Sequence, residues 1–233
     1  MGIWSEIKYA LNSTLGTADF APIDELITGG CQTFTESGMF VVPKGVKYIF
    51  VTACAGGGGG GWTARYAASG GAGGACVFRK RFDVSGMRTI NITVGQGGKG
   101  GVRENSRGSN GGATVVGDLL TLPGGDGGYY STSSGVSATS ATSGNEWAGR
   151  SGQDGVISFE LGFYGKGNGE RIDGGGAFGR GGVGQAGTEP VEGDANGELG
   201  GGGGGANTWN LSTHRPGDGG DGIVIIEWGA SAL

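Results

Sequence analysis

Residues 48–62 read YIFVTACAGGGGGGW, an apolar, strand-like stretch that runs straight into six consecutive glycines. Its first half carries the β-branched and aromatic residues that suit a pleated, half-buried surface. Its second half carries no side chain at all, and glycine loses the most backbone freedom on ordering, about 0.5–1 kcal/mol more than alanine in a regular element. The same join recurs along the chain, with glycine-rich runs at 70–74, 95–101, 124–128, 174–187, 200–205 and 217–222. Sixty of the 233 residues are glycine, against a usual fraction of roughly 7%. Such runs either flex as linkers or pack backbone against backbone, with amides and carbonyls satisfied between neighbouring runs. Collagen is excluded, because glycine at every third position is not sustained and there are only five prolines. Strand patterns clamp both ends of most runs, so ordered, packed tracts are expected.

Working outward, strands are expected at Phe34, 39–42, 48–54, 75–84, 89–94, 113–116, 119–122, 156–161 and 222–228. The last, GIVIIEW, is continuously apolar and should sit centrally in a sheet. Only Ser85 to Arg88 separates 75–84 from 89–94, which makes a hairpin the simplest connection. Before the strands, Trp4, Ile7, Leu11 and Leu15 fall at helical spacing. A helix this short is marginal alone in water, so it is expected to attach the body to a partner or build an oligomer. The stretch 22–30 reads as a connector, and STSSGVSATSATSG at 131–144 as an exposed loop. The fold class expected is therefore mainly β: a short N-terminal helix, then β-strands and layered polyglycine-type helices forming a glycine-rich sandwich. Two units are expected, a helical attachment segment at 1–30 and a glycine-rich β domain at 31–233.

The formal charge is −5, and the basic residues form no stripe, so no nucleic acid is expected as a partner. The run Arg79, Lys80, Arg81 lies in a strand pattern whose alternating faces separate the charges, giving a solvated strand over an anion site. No stretch approaches the length of a membrane-spanning helix, and the start is not a secretory signal, so no membrane insertion is expected. Cys31, Cys54 and Cys76 do not resemble a disulfide framework, and the last two read as small buried hydrophobes. With His214 the only histidine, no metal, cofactor or catalytic centre is expected. Asp126, Asp154, Asp173, Asp194, Asp218 and Asp221 lie in glycine-rich turns and read as turn formers, with a calcium ion as the alternative, although the strict nonapeptide period of calcium-binding repeats is missing. GQGGKG at 95–100 lacks the ending and following helix of a phosphate loop. Crowding between tracts should make Gly58→Val or Gly202→Val destabilising by about 1 kcal/mol or more.

The aromatics Trp62, Tyr66, Tyr129, Tyr130, Trp147 and Trp209 interrupt glycine-rich or polar loops, outside the clean strands. Aromatic faces can take the apolar side of a sugar ring while polar neighbours fix its hydroxyls. They can equally cap the glycine layers. These six are the candidate ligand-binding residues.

TFTESGMFVVPKGVKYIFVTA at 33–53, the glycine run after it and the terminal DGIVIIEW resemble the glycine-rich domain of bacteriophage and prophage tail-fibre proteins and adhesins. The opening KYALNSTLGTADFAPIDELI resembles the leader of short prophage-encoded proteins. The resemblance implies a virion component in the tail, made in a host cytoplasm, that contacts a bacterial surface glycan or protein. It also implies a homotrimer and attachment to other virion proteins through the N-terminal segment. A non-adhesive structural or decoration protein of capsid or tail is the alternative.

Overall fold

A computed structural model of the chain describes residues 29–63, 68–103, 106–130, 156–158, 162–164, 196–203, 205–207 and 215–229. Its strands are β1 (Gly30–Phe34), β2 (Gly38–Val41), β3 (Tyr48–Cys54), β4 (Trp62–Thr63), β5 (Cys76–Asp83) and β6 (Thr89–Thr93), then β7 (Thr114–Val116), β8 (Leu120–Leu122), β9 (Val156–Ser158), β10 (Gly162–Tyr164), β11 (Ala206–Asn207) and β12 (Ile223–Trp228). Eight of them build two four-stranded antiparallel sheets, in the orders β1-β12-β3-β5 and β2-β6-β7-β8, while β9 pairs antiparallel with β10 and β4 pairs in parallel with β11.

Alternation decides which side chains meet between the sheets. Ile49, Val51 and Ala53 of β3 and Val224 and Ile226 of β12 join Phe40, Ile90, Ile92, Val116 and Leu122 of the other sheet in one buried cluster. Phe40 and Trp228 touch across the gap, ring centroids 5.4 Å apart. The apolar β12 lies between β1 and β3, with Val224 opposite both Phe34 and Ala53. The expected hairpin of 75–84 with 89–94 does not form: β5 pairs with β3, whereas β6 pairs with β2 and β7. The turn at 84–88 carries the chain from one sheet to the other, so that Val77 and Ile90 reach the shared core from opposite sides.

Within β5 the register shifts opposite Val51 to Ala53, and Arg79 there has φ 44°. This bulge is held by the Arg79 N–H donating to Thr52 Oγ1 at 3.0 Å. Arg79 stacks over Phe50 and pairs with Glu227 at 3.5 Å, while Lys80 lies over Phe82 and Arg81 over Tyr48.

The expected fold of a short helix followed by layered polyglycine-type helices is corrected. The described residues contain no α-helix, and the layers are the two antiparallel sheets. The Trp4, Ile7, Leu11 and Leu15 segment lies outside the described residues. The glycine runs are extended connections whose hydrogen bonds leave for other segments. In 56–61, Gly58 and Gly61 donate to Ala72 and Ser69, Gly56 and Gly59 to Gly112 and Ser109, and Gly57 and Gly60 to Gly220 and Gly217, at 2.8–3.1 Å. Its carbonyls in turn accept from Gly98 and Gly101, from Gly125 and Gly128, and from Gly203. The run is thus surrounded by neighbouring backbone, and a Cβ on Gly57, Gly58 or Gly59 would lie 2.0–2.1 Å from a carbonyl oxygen. No direction is left for a side chain.

Sheets and tracts are joined around Cys54. The Thr114 hydroxyl donates to the Cys54 carbonyl at 2.9 Å and accepts the Gly95 N–H at 3.0 Å, and the residue is fully buried. Thr114→Val should therefore lower stability by about 2 kcal/mol, since it strands a buried donor and a buried acceptor together. Denaturant unfolding measures this, and an unchanged midpoint would remove the hydroxyl from the joint. At the same place Cys54 and Cys76, directly opposite in β3 and β5, form a disulfide packed on Ile223 and Leu199. The expectation of unpaired buried cysteines is corrected accordingly. Cys31 is free and exposed.

Candidate functional site

The tracts run from the sheets to a far end, and the bonding register fixes which residues meet there. Beside the sheets the Ala55 N–H donates to the Ala75 carbonyl, and two turns of bonding later the Gly61 N–H donates to that of Ser69. Trp62 follows, bonded in both directions to Ser106 at 2.9 and 3.0 Å, and β4 pairs in parallel with β11. Two residues beyond the Gly60 to Gly217 bond, the Arg215 guanidinium lies 4.2 Å from the Trp62 ring centroid. One residue beyond the Gly108 to Gly128 bond, the Arg107 guanidinium lies 4.0 Å from that of Tyr129. Tyr130 bridges to Ala68.

Three of the sequence-derived candidates, Trp62, Tyr129 and Tyr130, are thus brought to one end of the molecule. Tyr66, Trp147 and Trp209 lie outside the described residues, as do His214 and the 131–144 loop. Trp62 is only 6% exposed, its ring lies under Arg215, and its indole Nε1 has no hydrogen-bond partner among the described residues. Tyr129 and Tyr130 are half-buried. Arg107 is oriented by donating from Nε to the Gly127 carbonyl at 3.1 Å and from Nη2 to Asn110 Oδ1 at 3.4 Å. Sequence reading missed both arginines. Their signal is positional: each flanks a glycine tract at the point where an antiparallel neighbour ends in an aromatic residue.

The acidic residues do a different job. Asp218 accepts the Gly100 N–H and the Lys99 ammonium, both at 2.8 Å, and Asp221 accepts the Gly97 N–H at 2.7 Å. These carboxylates brace one tract against the next. The hydrogen bond and charge of Asp218 raise the Lys99 pKa above the usual lysine value. Among the described residues no group of three or more histidine, cysteine or acidic side chains could hold a metal ion. No helix among them is long and apolar enough to cross a membrane. Chemically, the far end offers guanidinium donors held on aromatic rings beside polar backbone, an arrangement suited to hydroxyl-rich or anionic surfaces.

The model of the glycine-rich domain matches residues 33–229, and the chain belongs to that family. No curated protein matches it.

Proposed function

We propose that this glycine-rich domain protein is a component of a phage or prophage-derived virion, a tail-fibre or receptor-binding protein that touches the bacterial host surface. The observation that supports the reading is the far end of the tracts, where Tyr129 under Arg107 and Trp62 under Arg215 are mounted on backbone cross-bonded in several directions. A rigid mount of this kind presents side chains at little ordering cost, which favours recognition. The resemblance of 33–53 and of the terminal strand to tail-fibre domains supplies the setting. The Cys54–Cys76 disulfide suits a protein that acts outside a reducing cytoplasm. In this reading the N-terminal segment attaches the domain to other virion proteins, and a homotrimer is the assembly.

Binding of the isolated protein to host envelope glycans tests the reading. Tyr129→Ser should weaken binding about tenfold, as loss of one aromatic contact does, with the unfolding midpoint unchanged. Equal binding by the variant, or a capsid-lattice position of the protein in intact particles, would sink it. The burial of Trp62 beneath Arg215 favours the rival, a non-adhesive decoration protein whose aromatics cap the tracts. That rival predicts no glycan binding by the wild type at all.

A further inference from the structure

The opposite end of the molecule carries a second surface. The turn after β2 and the turn between β5 and β6 enclose a groove of about 480 Å³, lined by Val41, Val42, Lys44, Lys47, Met87 and Arg88 among others. Val41 is 60% exposed and Met87 41%, so an apolar strip lies open along it. Lys44, Lys47 and Arg88 are exposed, and none of their side chains makes an ion pair or hydrogen bond among the described residues. Among the described residues Asp83 accepts the Ser85 N–H at 2.8 Å and feels the charges of Arg81 and Lys47. Three cations against one engaged carboxylate make the groove basic in a chain of net charge −5.

Beside the groove runs β2, the edge strand of its sheet, and among the described residues nothing pairs with its outer edge. Edge strands are commonly blunted by charge or proline. This one instead shows Met39, 54% exposed, and Val41. An extended polypeptide added along β2 would bond main chain to main chain, set aliphatic side chains on Val41 and Met87, and bring carboxylates to Lys44, Lys47 and Arg88. A small anion would use only the cations and leave the strand edge and apolar strip unexplained.

We propose that β2 and this groove dock an acidic, aliphatic segment of a partner polypeptide by strand addition. The surface is remote from the aromatic end, so the inference stands apart from the receptor-binding reading. The probe is a synthetic peptide, acetyl-Val-Asp-Ile-Glu-Val-amide, titrated by isothermal calorimetry into the full chain. Lys44→Glu with Arg88→Glu should weaken binding by about tenfold or more, as reversal of paired charges at an interface does. A peptide with Asn and Gln replacing Asp and Glu should lose a similar factor. Bound peptide should also slow amide exchange at Met39 or Val41, which a purely ionic contact would not do. Lys44 and Arg88 are exposed, and an unchanged unfolding midpoint certifies each variant. No binding of the peptide at about 1 mM would overturn the proposal. So would equal binding by the charge-reversed variant, full displacement by equimolar inorganic phosphate, or binding seen only after deletion of residues 1–28.

Discussion

Gly58→Val is expected to lower the unfolding free energy by about 3 kcal/mol or more, at or beyond the top of the usual overpacking range. The Cβ alone would stand 2.0 Å from the Asp126 carbonyl oxygen. That oxygen belongs to backbone and cannot swing aside as a side-chain tip could. Moving the 124–128 tract away would also strain the Gly125 and Gly128 bonds to the Gly56 and Gly59 carbonyls. The cost therefore combines steric displacement with lost buried hydrogen bonds. Gly86→Ala is the control: its φ is +83° but nothing lies within 4 Å of the added carbon, so only the conformational penalty of about 1 kcal/mol applies. Denaturant unfolding of both variants checks the contrast. Should Gly58→Val fail to accumulate, Gly58→Ala brings the same Cβ and serves in its place. Equal losses at the two glycines, or fast amide exchange throughout 56–61 in the wild type, would refute the backbone-packed arrangement.

Replacing both Cys54 and Cys76 by alanine is expected to cost about 3 kcal/mol, the loop-closure value for a bridge of this span. The two cysteines are 22 residues apart in sequence. The closed loop holds the outgoing 56–61 run and the returning 69–74 run, which bond to each other through Gly58 to Ala72 and Gly61 to Ser69. The bridge therefore restricts the freedom of this tract pair in the unfolded chain. Reduction of the wild type should reproduce most of the loss, which separates the crosslink from the smaller packing change at alanine. Thiol labelling of the oxidised, denatured protein should find Cys31 alone; reaction at all three cysteines would show that the bridge does not form.

The sequence alone located most strands of the two large sheets, because β-branched and aromatic runs bounded by glycine leave little choice of local structure, but it missed β4, β10 and β11 and most of β1. It also marked β12 as central, since a continuously apolar strand needs cover on both faces. The unbroken 56–61 run already announced a place without room for side chains. Three of the six candidate aromatics proved to share one end of the molecule, and their positions at tract ends were visible in the composition. Partnership was not visible. Which sheet a strand joins depends on which long-range face it buries, so β5 and β6, four residues of turn apart in expectation, went to different sheets. The same limit hid the Cys54–Cys76 bridge, which follows from β3 and β5 being neighbours, and the two arginines stacked on aromatic rings. Glycine has no side chain to prefer one neighbour over another. Only the register set by the strands that clamp the tracts decided which carbonyl each amide would meet.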